Sequence, residues 1–250
     1  MGCAGSFAGP DSPASSYLVR TEHEGRSWSI VLDLGNGALG SLQRHVRPYD
    51  VDAYFLSHLH ADHCLDMCGL YVMMKYVPGG PGRDRMPVWG PPGSGRHLAA
   101  AYGNKDVEDV CGALDFTDLV DRKPVEIGPF TVIPFRVNHP VEAYGFRVEA
   151  QGRVLAYTGD TDSCDALTPL MAGADLVLSD SAFVEGRDRL PDIHLSGRRA
   201  AEAALRAGGV TRLMLTHIPA WNDPEVCRAQ AAAVWPGEVE LAEPGRTYAV

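Results

Sequence analysis

Short apolar runs that end in polar turns recur along this chain, and they predict strands alternating with helices. Ser16 to Arg20 and Ser27 to Leu34 read as two strands joined by a polar hairpin at Glu24-Gly25. The turn Asp33-Leu34-Gly35-Asn36-Gly37 leads into a short helix from Leu39 to His45, and Val51 to Ser57 reads as a buried strand. Asp62 to Val77 reads as one helix, apolar almost all round, with Asp66 and Lys75 as the main interruptions. Such a helix is buried or covers a partner, so a homodimer is one expectation. Pro78 to Pro87 is a Pro/Gly/Arg loop. A strand at Val88-Trp89 and a helix from Arg96 to Tyr102 follow it. These segments could be a mobile rim over a site or a plain surface connection.

The second half repeats the pattern. Phe130 to Asn138, Ala143 to Ala150 and Val154 to Thr158 are strands with tight turns, and Ala166 to Met171 is a short helix. Leu176 to Ser179 and Leu213 to Thr216 are buried strands. Between them lies an alanine-rich helix from Ser196 to Ala207, with Ser196 as N-cap and Gly208 as C-cap. Pro224 to Val234 is a helix with proline in its first turn, and two short strands close the chain. Two sets of strands, each followed by helices, predict two sheets packed face to face with helices outside. No linker or low-complexity tract divides the 250 residues, which are expected to form one domain, 1–250.

Composition narrows the function classes. Net charge is −10, which weighs against a wide nucleic-acid footprint, though bound metal ions can still attract a small anion. No run reaches the length of a membrane span, and Met1 to Pro10 lacks a signal-peptide pattern. The six cysteines form no CxxC pair, and Cys64 and Cys68, one helical turn apart, read as packing residues. A cytoplasmic protein with reduced thiols is expected.

The candidate chemistry centres on Ser57-His58-Leu59-His60-Ala61-Asp62-His63. Neutral imidazole and carboxylate are ligands of first-row metals. On an extended segment His58 and His60 point the same way, while Asp62 and His63 follow at a helix start, where the dipole favours a carboxylate. Three later residues end buried strands in the same manner. His139 precedes Pro140, which holds it extended; Asp160 lies in Thr158-Gly159-Asp160-Thr161; His217 lies in Leu215-Thr216-His217-Ile218. Each alone would more often be a structural histidine or a turn aspartate. Together they make five histidines and two aspartates, enough for two ions. His194 precedes a helix and is not needed as a ligand; it could donate a proton or a hydrogen bond to a leaving group, or serve only a hydrogen bond at the helix start. Asp180 could orient a ligand from behind or serve its turn. His23, His45 and His97 read as surface residues.

This order of residues resembles the metallo-β-lactamase superfamily: H-x-H-x-D-H, a histidine after a strand, G-D-T, then L-T-H. His194-Leu195-Ser196 before an alanine-rich helix resembles the RNase Z-like branch. The stretches Gly-Cys-Ala-Gly-Ser-Phe-Ala-Gly-Pro-Asp-Ser-Pro, Leu-Ser-His-Leu-His-Ala-Asp-His-Cys-Leu-Asp and Asp-Ile-His-Leu-Ser-Gly are similar to actinobacterial metal-dependent cyclic-nucleotide phosphodiesterases. The resemblance implies an α/β fold, an αββα four-layer sandwich with the site at one edge. It implies one ion on His58, His60 and His139, another on Asp62, His63 and His217, and Asp160 between them. Asp62 would also accept a proton from the attacking water, and His194 would stand near the scissile phosphate. The family has a strand ahead of the glycine turn at which this chain begins. RNase Z carries a tRNA-gripping arm between the third-motif histidine and the bridging aspartate; here that interval is 21 positions, which weighs against tRNA.

The function implied is two-metal hydrolysis of a small anionic phosphodiester, a cyclic nucleotide first. Zinc suits the histidine-rich set, and manganese or iron also fit. The alternatives are tRNA 3′ processing; thioester, lactone or lactam hydrolysis; or a non-catalytic, metal-stabilised binding module.

Overall fold

The computed structural model describes residues 1–104 and 106–250. Its first sheet runs β1-β2-β3-β4-β5: Tyr17–His23, Arg26–Leu32, Ala53–Phe55, Met86–Gly90 and Leu114–Asp118. The β1–β2 hairpin turns on Glu24 and Gly25, at φ 51° and 75°, the left-handed pair that matches strand twist. From β2 onward the pairing is parallel. The second sheet runs β12-β11-β10-β9-β8-β7-β6: Val239–Leu241, Arg212–Thr216, Leu176–Asp180, Arg153–Tyr157, Tyr144–Ala150, Phe130–Arg136 and Val125–Ile127. It is parallel from β9 to β12 and antiparallel from β6 to β9.

Strand alternation explains the layers. Ile30, Leu32, Ala53 and Phe55 of the first sheet face Phe146, Val148, Leu176, Leu178 and Met214 of the second. Their neighbours Val31 and Tyr54 point outward, under the helices α1 (Ala38–Leu42), α3 (Met67–Tyr76), α4 (Ser94–Tyr102) and α5 (Val107–Cys111). The four-residue α2 (Ala61–Cys64) lies at the sheet edge. On the other side Val177, Leu213 and Leu215 point under α6 (Leu167–Met171), α7 (Gly197–Ala207) and α8 (Pro224–Ala232). Each fully buried aliphatic or aromatic side chain contributes about 1.5–3 kcal/mol. The result is the αββα sandwich, mixed in both sheets.

Ser196 caps α7 by accepting from Arg199 N–H at 3.3 Å. The helix expected over 62–77 is broken at Leu65-Asp66, where Asp66 N–H donates to Leu34 O at 3.1 Å instead of continuing the helical ladder, while its side chain accepts from Leu39 N–H at 2.8 Å. Met67, Leu70, Tyr71 and Met74 are spent on the core of their own chain. The segment read as a possible rim is framework: β4 lies between β3 and β5, and Leu98 and Ala99 of α4 are core. Its loop is tied by Arg83 to Val51 O, at the end of β3 away from the histidines. Only one strand, β12, closes the chain, since a turn at Pro244-Gly245 breaks it off. No helix among the described residues is long and apolar enough to cross a membrane.

Candidate metal centre

Five strand ends meet at one edge of the sandwich. The segment after β3 carries His58 and His60 and runs into α2 with Asp62 and His63. His139 follows β7, Asp160 follows β9, Asp180 ends β10, and His217 follows β11. These strands end on the same side because they run in parallel, so polar residues far apart in sequence converge. Every residue of the expected ligand set, and His194 beside it, is brought together here.

The donors fall into two adjoining groups. His58, His60 and His139 form one: His60 Nδ1 lies 3.0 Å from His58 Nε2 and 3.2 Å from His139 Nε2. Asp62, His63, Asp160 and His217 form the other: His63 Nε2 and His217 Nε2 are 3.2 Å apart, and each faces Asp160 Oδ1, at 3.1 and 3.3 Å. The second oxygen of Asp160 points 3.7 Å from His58 Nε2, so this carboxylate reaches both groups. Asp180, His194, Asp160 and His217 make an overlapping third group.

Imidazole nitrogens this close must share either a proton or a cation. Asp160 Oδ1 is buried with no hydrogen bond of its own. Convergent imidazole nitrogens around an orphaned carboxylate oxygen fit divalent cations.

The far sides of His58, His63 and His139 are anchored, which fixes where the inward nitrogen of each points. His139 Nδ1 donates to Ile193 O at 2.9 Å, and His58 Nδ1 meets Ser57 Oγ at 3.1 Å. His217 Nδ1 lies 3.4 Å from Asp180 Oδ1, which is too long to count as a good hydrogen bond. His63 Nδ1 donates to Asp33 Oδ2 at 2.8 Å. Asp33 escaped the sequence reading. It ends β2 at φ 59°, fully enclosed, and also accepts from Ser57 N–H, Ser57 Oγ–H and the Tyr157 hydroxyl. It is a polar residue closing a buried strand, the same signal that marked Asp160 and His217. Two glycines let backbone approach: a Cβ on Gly35 would lie 1.9 Å from Asp62 O, and one on Gly5 would lie 2.1 Å from His217 O.

Electrostatics divide the two groups. Burial holds His58 well below the ordinary histidine value and lowers His60 and His139, so these three are neutral donors. Burial also acts to lower His63 and His217, but Asp160 outweighs it, joined by Asp33 at His63 and by Asp180 and Asp62 at His217. His63 is held well above its usual value and His217 at about 10. A cation must therefore displace protons from these two rings. Metal affinity should fall about tenfold per pH unit for each proton displaced as pH drops below those values. Titration calorimetry in buffers of different ionisation heat would read the release; heats independent of buffer contradict it.

A sandwich with helices outside, carrying a strand-end cluster of imidazoles and carboxylates, defines a metallo-hydrolase architecture. The chain belongs to the metallo-β-lactamase superfamily, since the family model described as the Beta-lactamase superfamily domain matches residues 29–218. An uncharacterized protein of Mycobacterium leprae, ML1173, is 43% identical over 252 residues, covering 99% of this chain and 86% of that protein. Ribonuclease Z of Mycobacterium bovis is 29% identical over 268 residues, covering 96% of this chain and 93% of the enzyme. The crystal structure of the metallo-beta-lactamase fold protein YhfI from Bacillus subtilis superposes with a TM-score of 0.83 at 27% identity, covering 98% of this chain and 96% of that one.

Proposed function

We propose that the protein hydrolyses a phosphodiester, with a cyclic nucleotide or other small cyclic phosphodiester as substrate, at a centre of two divalent ions. The observation that carries this reading is the pair of adjoining donor groups reached by the two oxygens of Asp160. His58, His60 and His139 would hold one ion, and Asp62, His63 and His217 the other, with Asp160 between. Zinc suits these donors, and manganese or iron also fit. The ions, when bound, polarise the phosphoryl oxygens and bring the pKa of water toward about 7.

The chain's own residues supply the proton traffic. Asp62 is kept ionised, because His217 and His63 overcome the burial that would raise its pKa, and it can accept a proton from the attacking water. His194 Nδ1 pairs with Asp180 Oδ2 at 2.9 Å, which leaves Nε2 free to donate to the departing oxygen. The acidic balance of the chain favours a small substrate over a long nucleic acid. A second reading, tRNA 3′ processing, is supported by the likeness to Ribonuclease Z. Against it, β8 and β9 fill the interval between His139 and Asp160.

The test is turnover by metal-reconstituted enzyme of cyclic AMP, bis-p-nitrophenyl phosphate, a tRNA precursor and a lactam. Hydrolysis of the cyclic and nitrophenyl diesters, abolished by chelation, is expected. Lactam cleavage with both of these diesters left intact would sink the proposal.

A further inference from the structure

The two loops that contact His217 carry two large aromatic side chains that the proposed chemistry leaves unused. Phe7 and Trp221 meet with ring centroids 4.8 Å apart and planes inclined by 46°. Trp221 is 66% exposed and Phe7 37%, so the pair adds little to the core. The tilt leaves each ring with open surface for another planar group.

Both rings ride on loops that are locked to the centre. Ser6 N–H lies 3.3 Å from His217 Nε2, and Phe7 is the next residue, its N–H donating to Gly5 O at 2.7 Å. Gly5 itself sits against the His217 carbonyl. Trp221 follows His217 by four positions, in a turn closed by Asn222 N–H to Pro219 O at 2.8 Å. The buried Asn222 side chain donates to Ala182 O at 2.8 Å, two residues beyond Asp180. The two loops also touch, Gly9 standing close to the Ala220 side chain. The fold thus fixes an exposed aromatic pair beside His217 and Asp180.

We propose that Phe7 and Trp221 form a stacking platform for the base of a nucleotide whose phosphodiester is cleaved at the adjoining centre. This inference rests on the phosphodiesterase reading and narrows its substrates to nucleotides. Every base has a π face, and stacking on an aromatic side chain tolerates all of them. The platform therefore favours purines over pyrimidines only through their larger area.

The experiment compares adenosine 3′,5′-cyclic phosphate with the same cyclic ribose phosphate carrying a methoxy group in place of the base. Trp221→Ala should raise KM for the cyclic nucleotide about tenfold or more, with little change in kcat, and narrow its advantage over the baseless ester. Trp221→Phe, which keeps an aromatic face, should restore most of that advantage, and Phe7→Leu should lose part of it. Independently of turnover, adenosine monophosphate should quench the fluorescence of Trp221, and the quench should vanish in Trp221→Phe. An unchanged KM ratio in Trp221→Ala, or an equal loss on both esters, overturns the platform while leaving the phosphodiesterase reading in place. A wild-type enzyme that hydrolyses bis-p-nitrophenyl phosphate but neither ester overturns the platform, and one that hydrolyses none of the three overturns both.

Discussion

Replacing Asp62 by alanine should lower phosphodiester turnover about a thousandfold or more, the scale expected when a proton-accepting group is removed. The argument is geometric. Asp62 Oδ2 lies 3.1 Å from His217 Nε2 and 3.4 Å from His63 Nε2, inside the donor group and almost out of solvent. On the proposed mechanism alanine removes a ligand and the proton acceptor together, so two variants are needed to tell these roles apart. Asp62→Asn keeps the shape and one ligand oxygen but is a far weaker base. Metal content by mass spectrometry should fall in Asp62→Ala and stay closer to normal in Asp62→Asn, while both lose turnover. An Asp62→Asn enzyme that holds its metal and works at near-normal rate would show that the proton goes elsewhere.

Much of this was legible in the chain itself. His58, His60, Asp62 and His63 declare themselves because ligand-type residues crowd one strand end, and local geometry decides where they point. His139, Asp160 and His217 could be found by one rule, a polar residue closing a buried strand. That rule works because β7, β9 and β11 run in the same direction and end at the same edge. The buried strands stood out for a related reason. Leu176–Asp180 and Arg212–Thr216 are covered on both faces, so they read as apolar runs.

The parts that stayed hidden depend on contacts between segments. β5, Leu-Asp-Phe-Thr-Asp, is half polar and is a strand only because β4 lies beside it. The break between α2 and α3 is set by Asp66 N–H reaching Leu34 O, in a segment far away along the chain. Asp33 looked like one more turn aspartate, since its partners His63, Ser57 and Tyr157 come from α2, the segment after β3, and β9. The choice between a rim and a surface connection for the turn-rich loop was open for the same reason: only the folded chain shows it tied at the end of β3 away from the histidines, while the glycine turn at the start of the chain reaches His217.

Asp33 carries the other large expected effect, on stability and metal affinity together. Its side chain is fully buried and accepts four hydrogen bonds: 2.6 Å from Ser57 N, 2.8 Å from Ser57 Oγ, 2.8 Å from His63 Nδ1 and 2.7 Å from Tyr157. Asp33→Ala leaves those donors unpaired in a dry interior, and removing one partner of a buried charged network costs about 3–5 kcal/mol. Loss of the anchor also frees the His63 ring to turn, and losing such a support typically costs about 10–100-fold in metal affinity. Asp33→Asn separates the two effects. It keeps the volume and one acceptor oxygen, so denaturant unfolding should find it more stable than Asp33→Ala. Its amide cannot supply the negative charge that helps hold His63 protonated, so proton release on metal binding should decrease. If Asp33→Ala unfolded at the wild-type denaturant concentration and bound metal as tightly, the carboxylate would be a bystander, and the orientation of His63 would have to come from Ser57 alone, whose hydroxyl stands 3.4 Å from His63 Nδ1.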